Sequence, residues 1–146
     1  MTVRKTHWFW NLLVVITFIV CLSALTLHYK NWLSVKSNQI QIYSGFYSAK
    51  ISYSKIDSLK LVSRIPPMDR LHGFSALEKE KGVFREFKDS LTDKKVHVFV
   101  DNINQNKIKL VYKDSSYVYF NLKDSVETIQ LFQKLSANTS ALSEPN

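Results

Sequence analysis

The chain has 146 residues, of which 45% are hydrophobic and 22% are charged. This length gives room for one ordinary domain, and the composition excludes both a disordered polar chain and a protein that lies entirely within a membrane. The single cysteine, Cys21, excludes an internal disulfide framework, and the net charge of +8 permits contact with anionic lipid or acidic partners without requiring either.

The first predicted element is an apolar helix over residues 8–29, WFWNLLVVITFIVCLSALTLHY, which contain no Lys, Arg, Asp or Glu. A helix of this length reaches about 33 Å, enough to cross a hydrocarbon core of about 30 Å. Aromatic residues flank both ends, as is typical of helices that meet two membrane interfaces. The residues expected at these interfaces are Trp8, Trp10, Tyr29, Lys30, Trp32 and Lys36.

Two other interpretations of this segment stay open. Arg4 and Lys5 resemble the charged start of a cleaved signal peptide, but the best small-residue site, at Ala24, is a poor match to a cleavage site. A buried helix of a soluble protein is the third interpretation. The sequence favours a single-pass anchor in the cell membrane, and the few flanking charges do not fix the side on which the following domain lies.

After the helix the hydrophobic period changes to two, which indicates β structure. Ile40 and Ile42, then Ile51 and Tyr53, alternate on one face, with a turn at Gly45 between them. Short polar turns separate the later strands, a pattern typical of an antiparallel sandwich or barrel. The predicted strands are seven: IQI, ISY, LKLVS, GVFREF, KVHVFV, KIKLVYK and YVYFN.

The last predicted element is an amphipathic helix. Asp124 is suited to cap its start, Glu127 completes a capping box, and an apolar face at helical spacing extends to Leu135. The remaining residues show no periodicity and are expected to be disordered. The sequence thus predicts a tail and anchor over 1–36, a β domain over 37–136 and a disordered tail over 137–146.

This order of elements resembles a bacterial pleckstrin-homology (PH)-like domain behind a membrane anchor. The resemblance rests on IYSGFYSAKISYSKIDSLKLV, the following proline pair, R-x-x-GFS with KGVF, and YFN before the last helix. It implies a mainly-β domain with a seven-stranded curled antiparallel sheet capped by a C-terminal α-helix, and a binding platform without chemistry. PH domains that bind phosphoinositides carry several basic residues around the first hairpin, whereas SGFYSAK offers only Lys50.

The stretch RLHGFSALEKEKGVF holds two of the three glycines, Gly73 and Gly82. Neither lies between a strand and a helix with phosphate-binding spacing, so a nucleotide loop is not supported. We interpret them as positions where the backbone bends or passes another chain segment closely. Partner contacts are expected around this bend, at Arg64, Arg70, His72 and Phe74.

No pattern in the sequence points to catalysis. His72 and His97 lie on separate elements, Cys21 lies in the apolar run, and no serine lies in G-x-S-x-G. We therefore expect no enzyme, no catalytic residue, no metal and no cofactor. Tyrosines and lysines lie near one another over residues 107–120, but we interpret the tyrosines as core residues and the lysines as solvated, and not as a nucleic-acid site.

The sequence therefore predicts a membrane-anchored, non-catalytic interaction or scaffolding module. A lipid-sensing domain at the membrane surface and an accessory subunit of a larger membrane complex are the alternatives. The expected partners are the lipid bilayer and an unidentified membrane protein, with no nucleic acid. Self-association into a homo-oligomer stays open, although the span has no small-xxx-small pattern apart from Ser23 and its neighbours.

Overall fold

A computed structural model of the protein describes residues 5–87 and 94–143. Arg4 and the end of the predicted tail, residues 144–146, lie outside these ranges. The chain begins with helix α1, Lys5–Tyr29, and within it His7–Tyr29 is long and apolar enough to cross a membrane. None of the residues in its most apolar stretch is buried. The helix is therefore not a core element of the domain that follows.

That domain has nine strands among the described residues, arranged in two sheets. The first sheet is antiparallel, in the order β1-β2-β3. The second has the order β4-β8-β9-β7-β6-β5, in which only β7 and β9 run parallel to each other. The strands are β1 Trp32–Val35, β2 Gln39–Ser44, β3 Tyr47–Ser52, β4 Ile56–Val62, β5 Met68–Ala76, β6 Lys79–Glu86, β7 Val96–Val100, β8 Lys107–Tyr112 and β9 Tyr117–Phe120.

The structure thus contains two strands that the sequence did not predict, and two sheets instead of one. β1 lies where we expected only a membrane interface, and its four residues are too few to show an alternating pattern. β5 lies in the segment that we interpreted as a bend, and most of its side chains are exposed, so no apolar period marks it. Both pair with the next strand along the chain, and Leu33 and Val35 of β1 also pack against the main core.

The second sheet must curl, because its two edge strands are joined by only residues 63–67. Six strands side by side would separate β4 from β5 by about 24 Å in a flat sheet. The connection spans at most about 21 Å when fully extended. Ile65 of the connection packs on the concave face of the sheet together with the flanking strand residues Val62 and Met68. They contact the cluster of Phe84, Val96, Val98, Val100 and Tyr119.

The main core lies between the two sheets and is closed by a second helix, α2, Ser125–Ser143. Asp124 caps this helix as the sequence predicts, because its Oδ1 accepts the N–H of Val126 at 2.6 Å and of Glu127 at 3.4 Å. The buried core residues are Ile40, Ile42, Ile51, Tyr53, Ile56, Phe99, Ile108, Leu110, Val118, Phe120, Leu131 and Leu135.

Helix α2 continues past Leu135, where the sequence predicts a disordered tail. Thr139 Oγ1 donates to the carbonyl of Leu135 at 2.8 Å, and Asn138 Nδ2 donates to the Tyr53 hydroxyl at 3.4 Å. The second contact joins the helix to the 3₁₀ turn Tyr53–Lys55, which links the two sheets. The extra turns of helix therefore belong to the packed domain.

Candidate functional site

Three of the four residues expected to bind a partner lie together on one strand. Arg70, His72 and Phe74 are on β5, while Arg64 is exposed in the connection before it. β5 pairs with β6 on one side, and no other strand within residues 5–87 and 94–143 pairs with its second side. It therefore presents a free edge about nine residues long.

The two glycines of this hairpin face each other across the β5–β6 pair. Gly73 is the direct partner of Gly82, and both have positive φ, 133° and 149°. A Cβ added to Gly73 would overlap the carbonyl oxygen of Lys81, and one added to Gly82 would overlap that of His72. The glycines thus serve the close approach that we expected, within a paired hairpin and not in a loop.

The end of β5 contacts helix α1. The Phe74 ring packs edge-on against the His28 ring, with 5.0 Å between the centroids, and Phe46 packs against His28 from the β2–β3 turn at the same distance. Phe74 is therefore partly occupied by a contact within the chain. Arg70 and His72 are exposed, farther along β5 from the helix.

The residue that ties α1 to the β domain is Asn31, which is buried directly after the helix. Its backbone N–H donates to Asp101 Oδ2 at 2.6 Å, and its side-chain amide donates to the Asn121 carbonyl at 2.9 Å. Its Oδ1 accepts from the Ser44 hydroxyl at 2.6 Å. One side chain thus joins the helix end to both sheets.

A buried ion pair lies beneath the last turn of α1. Lys81 Nζ is 2.8 Å from Asp101 Oδ1, and both side chains are fully buried. Lys81 also donates to the His28 carbonyl at 3.3 Å, and Lys79 donates to the Tyr29 carbonyl. Burial lowers the pKa of Lys81, while the Asp101 carboxylate opposes that shift. The two ammonium groups complement the negative end of the helix dipole.

Lysines also surround the aromatic residues at this end of α1. Lys123 Nζ donates to the Tyr29 hydroxyl at 2.7 Å and lies 4.5 Å from the ring centroid. This hydrogen bond raises the pKa of Lys123. Lys30 Nζ lies 4.4 Å from the Trp32 ring centroid. Such contacts fix the aromatic rings against cations at the point where the helix ends.

The remaining residues expected at the membrane interfaces lie elsewhere. Trp8 and Trp10 are exposed near the start of α1. Lys36 lies in the turn between β1 and β2, at the opposite end of β1 from Trp32. The structure thus brings Tyr29, Lys30 and Trp32 together and leaves the others apart.

Sequence reasoning missed the junction residues Asn31, Lys81, Asp101 and Asn121. Asp101 and Asn121 each directly follow an apolar strand, where a polar residue ordinarily marks a turn. Lys81 lies in the charged run EKEK, which is typical of a solvated loop. The one available signal was the alternation in KEKGVF, which assigns Lys79 and Lys81 to the same face of an extended strand.

The open cavities among the described residues include two in the β domain. One, of about 420 Å³, lies over the concave face of the second sheet, with Arg64, Pro66, Phe84 and Lys107 among its lining residues. The other, of about 490 Å³, lies between α2 and β4. No group of three His, Cys, Asp or Glu residues in the described part of the chain is placed to hold a metal ion.

No protein-family model matches the chain, and no curated protein or solved structure matches it either. The likeness to PH-like domains therefore remains an expectation from the sequence. The functional interpretation rests on the contacts described above.

Proposed function

We propose that the protein is a single-pass membrane protein whose β domain is a non-catalytic interaction module held in a fixed orientation at the bilayer surface. The observation that carries this proposal is the junction of Asn31, Lys81 and Asp101, which fastens the end of α1 to both sheets. An anchor that served only to localise a domain could use a flexible linker. Here a single residue, Lys30, separates the end of the helix from the buried Asn31.

The same junction supports an anchor that is retained after synthesis. Cleavage after Tyr29 would remove the carbonyls of His28 and Tyr29 that Lys81 and Lys79 contact, and cleavage nearer Ala24 would leave them on a short stub without the rest of α1. In the first case the buried Lys81 ammonium would lose a partner, at a cost in stability. A signal peptide that is destined for removal has no need of such contacts.

We expect the protein purified from the membrane fraction to retain α1. Intact-mass spectrometry measures this directly, with a chain whose sequence begins at Leu25, after the small-residue site at Ala24, as the mass reference for a cleaved form. A mature N-terminus between Ala24 and Lys30 would contradict the proposal.

We propose that the β domain is a binding platform analogous to a PH-like domain. A curled sheet and a C-terminal helix packed on the core support that analogy. The two additional strands β1 and β5 and the parallel β7–β9 pair depart from the seven-stranded antiparallel sheet that the resemblance implies. We therefore propose a binding platform of this general kind, adapted by a strand that forms a new edge.

The free edge of β5 is the surface that we propose for a protein partner. An edge strand presents unpaired backbone N–H and C=O groups, to which an extended segment of another protein can add as a further strand. Arg70 and His72 supply exposed side chains beside this edge. Because β5 ends next to α1, a segment bound along its length of about 30 Å would have one end beside the bilayer that α1 is proposed to cross. A membrane protein is thus the partner that fits.

We expect a photo-crosslinking amino acid at His72 to give a discrete product in native membranes, and the same group at Lys60 to give none. Lys60 is the matched control because it is exposed on β4, the other edge strand of the same sheet. Adding Arg70→Ala should lower the yield from position 72 without unfolding the protein, since Arg70 is exposed and makes one 3.2 Å hydrogen bond to Ser75.

The crosslinked products obtained at positions 72 and 60 show whether β5 is a specific binding edge. A product with twice the mass of the chain would identify a second copy as the partner. Equal products from both edges, or none from either edge when the protein is present at its native level, would exclude β5 as a specific binding edge.

A further inference from the structure

Two hairpin tips lie beside the last turn of α1. The β2–β3 turn carries Phe46, whose ring contacts His28. The β5–β6 turn carries Leu77 and Glu78, and the residue after them, Lys79, donates to the carbonyl of Tyr29. Both tips are therefore positioned at the level where the helix ends.

Each tip carries an exposed large apolar side chain, although hairpin turns are normally polar. Leu77 is 101% exposed and Phe46 is 74% exposed. Leu77 also has a φ of 55°, a left-handed conformation that ordinarily selects glycine or asparagine. Neither the packing nor the backbone conformation of the described domain accounts for a leucine at this position.

Other apolar and basic side chains continue this surface. The backbone carbonyl of Glu78 accepts the backbone N–H of Ile103 at 2.7 Å, which holds the 101–106 loop beside the tip. Acidic residues are present too, since Glu78 and Glu127 lie at this end. The exposed aromatic or aliphatic residues here are Tyr29, Trp32, Tyr43, Phe46, Leu77 and Ile103, and the lysines among them are Lys30, Lys79 and Lys123.

We infer that this end of the domain is itself a membrane-contacting surface, which inserts Phe46 and Leu77 into the interface of the bilayer that α1 crosses and sets its lysines among anionic headgroups. The inference rests on the proposed function, because α1 must span that bilayer. The occupant follows from continuity, since a helix that leaves the hydrocarbon at Tyr29 brings tips packed beside its last turn to the headgroup level. Aromatic rings with lysines around them suit that level.

Contact between the hairpin tips and the bilayer would also require the rigid junction of Asn31, Lys81 and Asp101. A tip inserted into lipid can stay inserted only if the domain keeps its tilt relative to the helix. The ion pair of Lys81 with Asp101 provides that restraint beneath α1. Helix, junction and tips thus act as one membrane-bound unit, and the β5 edge is held at a defined angle to the bilayer.

The test uses the full chain with Cys21→Ser, which removes its one native cysteine. An environment-sensitive NBD fluorophore is attached at Phe46→Cys, at Leu77→Cys or at Phe87→Cys. Phe87 is the matched control, because it is also apolar and 56% exposed but follows the far end of β6. Each protein is reconstituted into phosphatidylcholine vesicles with and without phosphatidylglycerol, and quenching by lipids with a nitroxide near the headgroup is measured.

We expect blue-shifted emission and at least severalfold stronger nitroxide quenching at positions 46 and 77 than at position 87. We also expect stronger quenching at position 77 with phosphatidylglycerol, and a loss of that increase in Lys30→Gln/Lys123→Gln. Water-like emission at both tips would overturn the inference. Equal quenching with and without phosphatidylglycerol would overturn the claim that the lysines lie among anionic headgroups.

Alkaline carbonate extraction of the same vesicles separates the two proposals. If carbonate removes the protein, α1 does not span the bilayer and the proposed function fails together with the inference. If the protein resists extraction but both tips stay in water, only the inference fails. Shielding of the tips from water without nitroxide quenching would indicate a protein cover in place of lipid, which also overturns it.

Discussion

Gly82→Ala is expected to lower the free energy of unfolding by at least about 3 kcal/mol. The new Cβ would overlap the carbonyl oxygen of His72, a backbone atom that cannot move aside without breaking the β5–β6 pairing. The φ of 149° is also one that alanine rarely adopts. Two separate costs therefore add at a single position.

Gly73→Ala should have a similar effect, because its Cβ would meet the Lys81 carbonyl in the same way. Because Gly73 and Gly82 face each other across the β5–β6 pair, the double variant should lose less stability than the sum of the losses of the two single variants. Ser75→Ala on the same strand is the control. It removes only exposed hydrogen bonds and should change stability by no more than about 0.5 kcal/mol.

Denaturant unfolding of the full-length protein in detergent, followed by β-sheet circular dichroism, gives these values. If Gly82→Ala were as stable as Ser75→Ala, the two strands could not approach each other as closely as they do in the structure. Unfolding by Ser75→Ala itself would show that this edge depends on side-chain contacts and not on the glycine pair.

Asp101→Ala is expected to destabilise the protein by about 3–5 kcal/mol, the usual cost of removing one partner from a buried ion pair. The change leaves the fully buried Lys81 ammonium with the His28 carbonyl at 3.3 Å and removes the acceptor of the Asn31 N–H. Lys81→Met should cost somewhat less, because Asp101 keeps the Asn31 N–H and lies 3.9 Å from Lys79.

The double variant Lys81→Met/Asp101→Ala should lose less stability than the sum of the losses of the two single variants, since neither charge is then left unpaired. Asp69→Ala is the matched control, because its 3.9 Å pair with Arg85 is exposed and contributes little. The same denaturant measurement applies.

Limited proteolysis adds a readout of the junction itself, because Asp101→Ala should expose the chain around Asn31 to cleavage. A protein that stayed stable and protected there would refute the role of this cluster.

The two helices could be predicted from sequence because their signals are local. Residues 8–29 lack charges over a length that spans a bilayer, and Asp124 has the capping position and the residue type that a helix start requires. The alternation in KVHVFV and KIKLVYK likewise predicts β7 and β8, since every second residue of each is buried in the main core or in the concave cluster. Such patterns need no knowledge of distant parts of the chain.

β5 and the junction could not be predicted, because they depend on residues far apart in sequence. Most side chains of β5 are exposed, so its extended form comes from pairing with β6 and not from an apolar face. Lys81 is charged and lies among charged neighbours, and it becomes buried only because the end of α1 lies over β6. Asp101 pairs with it across the β6–β7 ladder, which the linear sequence does not reveal.

The central position of β9 in the second sheet delays completion of that sheet during synthesis. β9, Tyr117–Phe120, is the last strand along the chain, yet it lies between β7 and β8. Until β9 has emerged from the ribosome, the strands already made can form only two half-sheets. One contains β4 and β8, the other contains β5, β6 and β7, and the inner edge of each is unpaired. Such edges favour aggregation, and pairing between distant segments is slow. Helix α1 emerges before the strands, so insertion of each new chain into a membrane would keep the incomplete half-sheets of neighbouring chains apart until β9 arrives.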